Sequence, residues 1–276
     1  MDDRAAPFME HLRELRNCLR NAVIALAVSV VITFGFSEQL FVLLARPLIS
    51  AIKESGLQAQ LKFGSLVEPF WVYFELSLYA GIFLASPFIF HQLWRFIAPG
   101  LYQKEKRVAL PFSIFSALFF MGGAAFCYSL VLPAAFRFFL SYSSQNVSQM
   151  NDVLGFISIN LADPLAIEPS LFMQQYLDLT TKMLLAFGLV FEMPLLFFFL
   201  SYVGLVTHRS LWKFNKYAAV LSFVVGAILT PGPDVFSQLL MAGPMIVLYN
   251  VSILVAWVVT KRREAAERTD ATAVAK

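Results

Sequence analysis

Long apolar runs separated by short polar clusters set the rhythm of this chain. At its start, Phe8, Leu12, Leu15 and Leu19 recur at helical spacing, with Glu10, Arg13, Glu14, Arg16 and Asn17 between them. That pattern over Pro7–Leu19 predicts an amphipathic helix lying at an interface. A first apolar helix is predicted over Leu19–Leu44, with Arg46-Pro47 as its terminator. The stretch to Val67 carries Lys53, Glu54 and Lys62 among apolar positions and predicts a short surface helix. A second apolar helix is predicted over Glu68–Phe96, kinked at Pro87. Its Glu68 and Glu75 lie two turns apart and share a face. A third runs over Ala109–Leu140, with Pro133 and a snorkelling Arg137 near its end. The longest polar stretch follows, from Ser141 to about Gln175, interrupted by Pro164 and Pro169.

The fourth apolar run, Lys182–Val206, is long enough to cross a bilayer as one helix at a rise of about 1.5 Å per residue. A fifth is short, since only about 17 residues separate Lys216 from Asp234. Such a helix forces the bilayer to thin, or the helix to pack in a sheltered pair. The turn Leu229-Thr230-Pro231-Gly232-Pro233-Asp234 is tight and rigid. A sixth helix, Phe236–Thr260, ends at Lys261-Arg262-Arg263. The pattern divides the chain into an amphipathic segment (1–18), a six-helix transmembrane domain (19–260) and a tail (261–276) whose small polar residues predict disorder.

Composition places the whole chain in the bilayer. Of 276 residues, 59% are hydrophobic and only 14% charged, against about 25% charged in soluble domains. Mean hydropathy is +0.70. The fold class is therefore an all-α polytopic membrane protein. No cleavable signal peptide is expected, because a charged segment precedes the first apolar run. Cys18 and Cys127 lie in unlike surroundings, and no disulfide is expected.

The net charge of +3 says less than its distribution. All basic residues except Arg46, Lys53, Lys62, Arg137 and Lys182 fall in the N-terminal segment, the second and fourth connections, or the tail. The positive-inside rule then puts both termini in the cytoplasm.

Glu192 stands near the middle of the fourth run, two residues before Pro194. A carboxylate there costs roughly 2.5–3.5 kcal/mol on insertion scales. Pro194 lacks an N–H, so the carbonyl near Val190 loses its helical partner. A structural acid would stay neutral and bond to that carbonyl or to a neighbouring helix. A functional acid would line a polar recess at membrane depth. The second reading is favoured, because ionisable groups inside membranes usually serve function.

Catalytic and metal-binding patterns are missing. His11, His91 and His208 lie on three segments without ligand spacing, and no nucleophile motif or phosphate loop occurs. No enzyme activity, metal, cofactor or nucleic-acid partner is expected. Two further carboxylates, Glu14 and Glu105, have basic neighbours. They read either as solvated ion pairs of little worth or as a pair that grips incoming guanidinium groups in two-pronged hydrogen bonds.

Four motifs occur in one order: His11-Leu12-Arg13-Glu14-Leu15-Arg16 before the first helix, Phe96-Ile97-Ala98-Pro99-Gly100 leading to Glu105, Phe191-Glu192-Met193-Pro194, and Thr230-Pro231-Gly232-Pro233-Asp234-Val235-Phe236-Ser237-Gln238. On a six-helix frame they resemble the TatC family, receptor subunits of the twin-arginine protein translocase, over about Phe8–Lys261. The resemblance implies a concave, glove-like wall of helices in a bacterial inner membrane. It also implies binding of twin-arginine signal peptides and proton-motive-force-driven export of folded proteins. The implied partners are single-span TatA- and TatB-like proteins, and a homo-oligomer is compatible with it.

By motif position, Glu14 and Glu105 match the carboxylates that contact the twin arginines, and Arg16 and Phe96 match neighbours on that surface. Glu192 matches a glutamate of the concave face. Asp234, Ser237 and Gln238 match a partner-docking edge. Cys18, Glu75 and Asn250 depart from the family pattern. The competing functional readings are a proton-coupled small-solute transporter using Glu192 and a purely structural scaffold.

Overall fold

A computed structural model describes the backbone of residues 5–55, 60–97, 109–141, 170–230 and 235–274. It contains the helices α1 (Ala5–Phe34), α2 (Ser37–Glu54), α3 (Glu68–Ile97), α4 (Ala109–Phe126), α5 (Leu132–Leu140), α6 (Met173–Phe191), α7 (Met193–Val203), α8 (His208–Leu229) and α9 (Val235–Val274). A π-helical turn, Cys127–Val131, joins α4 to α5. Two short strands, β1 (Leu61–Lys62) and β2 (Leu171–Phe172), pair in parallel and tie the connection before α3 to the start of α6.

The helices pack as an open row: α1 on α3, α3 on α4, α4 on α6, then α7 on α9 and α9 on α8. The largest buried cluster lies at the end of the row remote from the start of α1. There Phe41 and Leu48 of α2 meet Val72, Leu132, Phe136, Tyr176 and Leu177. Outside that cluster many large apolar side chains are exposed, among them Val31, Leu118, Val220, Ile228 and Leu254. Among the described residues, five stretches are long and apolar enough to cross a membrane, against the six expected from sequence: His11–Phe34, Glu68–Ile97, Leu110–Leu140, Met173–Val203 and Val235–Lys261. Helix α8 is the short one. Its first half carries His208, Arg209, Lys213 and Lys216, leaving an apolar part, Tyr217–Leu229, of about 20 Å at helical rise.

Three boundaries differ from the sequence reading. The amphipathic segment is not a separate helix, because α1 runs unbroken from Ala5 to Phe34. The first apolar run does not continue to Leu44. It turns at Gly35-Phe36, where the Phe36 N–H bonds to the Thr33 carbonyl at 3.1 Å. The last helix runs on to Val274, where a disordered tail is expected from composition. Residues 264–268 are Glu-Ala-Ala-Glu-Arg, strong helix formers that let the helix propagate once packing has nucleated it.

Arg46-Pro47 also fails to end a helix, since Pro47 is buried within α2. A proline orphans the carbonyl four residues earlier, here that of Leu43. The Tyr128 hydroxyl donates to that carbonyl at 2.6 Å. The π-helical turn supplies the donor, and next to it Tyr176 donates to Leu44 O. Pro87 is handled the same way inside α3: the orphaned Phe83 carbonyl accepts from the Ser86 hydroxyl at 2.8 Å. In lipid, where water is scarce, such local donors let a helix continue past proline.

Candidate functional site

The residues singled out from sequence fall in three places along the row. The first is the corner where α1 begins and α3 ends. The His11 ring stacks on the Phe96 ring, with centroids 4.4 Å apart and planes within 16°. His11 Nδ1 lies 3.7 Å from Glu14 Oε2. One imidazole thus joins Phe96 to the carboxylate one turn along α1. Glu14 keeps 49% of its side-chain exposure, so the acid stays hydrated and free to meet a charged visitor. Arg16 is exposed on the same helix. Glu105 lies outside the described residues, as does the loop that carries it.

The second place is the middle of the row. Glu192 sits in a one-residue break between α6 and α7. The carbonyls of Leu189 and Val190 are taken by N–H groups at that break in tighter turns than an α-helix uses. The carbonyl that Pro194 would orphan is therefore satisfied by backbone, and the carboxylate is not required there. Instead the carboxylate faces α4, where the Ser116 hydroxyl and the Phe120 backbone are its polar neighbours. Its Oε1 is buried and has no hydrogen-bond partner among the described residues.

This approach of α4 to α6 depends on two glycines. A Cβ on Gly188 would lie 2.7 Å from the Phe120 ring, and one on Gly123 would lie 2.5 Å from the Phe187 carbonyl oxygen. Without side chains at these positions the backbones close up, and Glu192 is held one turn beyond against α4. Below the break, α7 ends at Gly204, whose φ of 86° is left-handed and strongly favours glycine. That stop falls short of the expected Val206. At its other end the span begins at Met173 rather than Lys182, which pairs with Asp178 at 3.7 Å inside α6.

The third place is the start of α9, at the opposite end from the His11 corner. Ser237 is buried and Gln238 half-buried. The Gln238 backbone lies against Gly226 of α8, and Phe236 stacks on Phe138 of α5 with centroids 4.2 Å apart. Asp234 lies outside the described residues.

The site residues therefore form an exposed corner, a buried acid and a remote edge, rather than one pocket. Sequence reading missed the His11 stack, although His11 opens the first motif. It also missed the hydrogen bond from Trp94 Nε1 to Ser116 Oγ, 2.8 Å long and fully buried. Glu68 and Glu75 do share a face. They meet at Gln174, whose backbone N–H donates to Glu68 Oε1 (3.1 Å) and whose amide donates to Glu75 Oε2 (2.7 Å). Asn250 bonds to Asn215 across the α8–α9 interface at 3.3 Å.

Comparison with known proteins follows the same frame. The family profile described as TatC, Sec-independent protein translocase protein, matches residues 10–244. The Sec-independent protein translocase protein TatC of Desulforapulum autotrophicum is 41% identical over 274 residues, covering 98% of this chain and 93% of that protein. Its counterpart in Aquifex aeolicus is 37% identical, with 94% and 98% covered. A crystal structure of the twin-arginine translocase receptor TatC superposes with a TM-score of 0.72 at 36% identity, covering 91% of this chain and 99% of that one. These likenesses run through all three places described above, and the chain belongs to the TatC family of Sec-independent protein translocase proteins.

Proposed function

We propose that the corner formed by Glu14, Arg16 and Phe96, together with Glu105, receives the twin-arginine motif of a signal peptide. The observation that carries this reading is the His11–Phe96 stack, which holds an exposed carboxylate beside the end of α3. A carboxylate accepts two parallel bonds from the planar guanidinium fork, a geometry that an ammonium group lacks. A second carboxylate, supplied by Glu105 on motif position, would take the second arginine. The resemblance to a solved twin-arginine translocase receptor supports the same assignment.

As a member of a translocase family, the chain works within a multi-pass membrane assembly. TatA- and TatB-like single-span proteins are its proposed partners, with Asp234, Ser237 and Gln238 at the docking edge. The basic residues concentrated in alternate connections support cytoplasmic termini in a bacterial inner membrane. Glu192 serves transport after binding, as the polar group that the moving complex meets at membrane depth.

The test is photocrosslinking from residue 13, beside Glu14, to a precursor with an Arg-Arg motif, in membranes containing the whole translocase. Crosslinks are expected with the arginine pair and are expected to fall about tenfold when both arginines become lysines. Equal crosslinking of the lysine precursor would remove the guanidinium reading.

A further inference from the structure

Serines in this bundle mostly give their proton to their own helix. Ser77 donates to Tyr73 O at 2.6 Å, Ser222 to Ala218 O at 2.8 Å and Ser252 to Leu248 O at 2.8 Å. Ser116 makes no such bond among the described residues. It is 1% exposed, and its oxygen accepts the Trp94 indole N–H at 2.8 Å. A hydroxyl that accepts one bond still has its own proton to donate. Ser116 lies one turn from Phe120 and Glu192 one turn from Gly188, the two residues through which α4 and α6 meet, so the hydroxyl and the carboxylate belong to one contact.

The indole cannot turn away. Its ring is wedged between Phe112 of α4, at 4.8 Å and 49°, and Phe199 of α7, at 4.8 Å and 72°. Leu195, the first buried apolar residue after Pro194, packs in the same cluster. Trp94 therefore occupies one acceptor direction of the Ser116 oxygen and leaves its proton available for another group. Two residues further along α3, Phe96 carries the His11 stack of the recognition corner.

We propose that Ser116 is a positioning residue for Glu192, held by Trp94, and that this buried strut joins the end of α3 to the acid at the α6–α7 break. The consequence for transport rests on the proposed role of Glu192 and of the Phe96 corner. The strut itself does not. A carboxylate in a nearly waterless setting gains more from one well-aimed donor than it would in solution. Glu192 Oε1 already lacks a hydrogen-bond partner among the described residues, and loss of the Ser116 hydroxyl would leave the side chain free to move off α4.

The experiment uses the full chain in lipid nanodiscs and infrared difference spectroscopy. The Glu192 carboxyl or carboxylate band is assigned by its disappearance in Glu192→Gln. Both Ser116→Ala and Trp94→Phe are expected to shift that band, the first more than the second. Ser222→Ala, which removes a hydroxyl bound only to its own backbone, is expected to leave it in place. In vesicles carrying the whole translocase, Ser116→Ala is expected to lower precursor transport about tenfold, the loss of one charge-assisted hydrogen bond. Precursor crosslinking at residue 13 should stay within about twofold, a change too small to reflect a lost hydrogen bond. An unmoved band in both variants, or undiminished transport in Ser116→Ala, overturns the proposal. Loss of arginine selectivity at residue 13 would instead count against the receptor reading, so the two failures are distinct.

Discussion

Glu14 and Glu192 are both carboxylates in motifs of this family, yet they are held in opposite ways. Glu14 stands in water at the tip of α1, with a single weak contact to His11 at 3.7 Å. Little in the fold depends on it. Glu192 lies where α4 and α6 meet through paired glycines and where the helix breaks into α6 and α7 ahead of Pro194. Its surroundings were built before the acid could be placed there. The contrast teaches that an acid proposed to bind a visiting peptide needs access, whereas one proposed to act at membrane depth needs architecture. Substitutions at the first should change what binds without touching stability, and substitutions around the second should do the reverse.

The largest effect is expected from Gly188→Leu. Its side chain would enter the Phe120 ring and backbone, and overpacking of that kind costs roughly 1–3 kcal/mol or more. The thermal midpoint of the purified protein in detergent should fall by several degrees, with peptide crosslinking at residue 13 retained in the folded fraction. A midpoint equal to the unmodified protein would show that α4 and α6 do not approach this closely.

Next comes Glu14→Gln. Replacing a charge-assisted bond of roughly 1.5–3 kcal/mol should weaken precursor crosslinking tenfold or more. The thermal midpoint should stay put, and a clear drop in it would erase the distinction drawn between the two acids.

His11→Ala sharpens the comparison from inside the corner. Loss of a ring stack worth about 0.5–1.5 kcal/mol should weaken crosslinking three- to tenfold, and His11→Phe should restore most of it. Failure of phenylalanine to restore binding would mean that the ring does more than stack.

Tyr128→Phe tests the architecture at the far end, where the freed Leu43 carbonyl would lose its donor. A loss of about 1 kcal/mol, read as a small fall in thermal midpoint, is expected. The smallest effect belongs to Arg137→Gln. Arg137 makes two bonds to Glu54, 2.7 and 3.0 Å long, but both side chains are more than half exposed. Such a pair contributes about 0–1 kcal/mol, and a larger change would mean that the pair is better sheltered than it looks.

Much of the fold was legible because lipid imposes a simple rule on sequence. Apolar runs must be helices, and the runs over Glu68–Phe96 and Ala109–Leu140 became α3 and the α4–α5 unit almost residue for residue. The errors cluster where a backbone group's partner comes from elsewhere in the chain. Pro47 reads as a terminator until Tyr128, far away in sequence, supplies a proton to Leu43. The carbonyl before Pro194 reads as a reason for Glu192 until nearby N–H groups take it. Lys182 reads as the edge of a span until Asp178 offsets its charge inside the helix.

What the amino-acid sequence determined alone was the all-α membrane class, the order of the apolar segments, the placement of basic residues and, through four motifs, the family. Tertiary structure decided which side chains meet: His11 with Phe96, Trp94 with Ser116, and Phe236 with Phe138. The reason is range. Hydrophobic periodicity is written in neighbouring residues and can be read one helix at a time. A hydrogen bond across helices depends on close approach, and that approach is decided by residues such as Gly123 and Gly188, which show their purpose only when the two backbones meet.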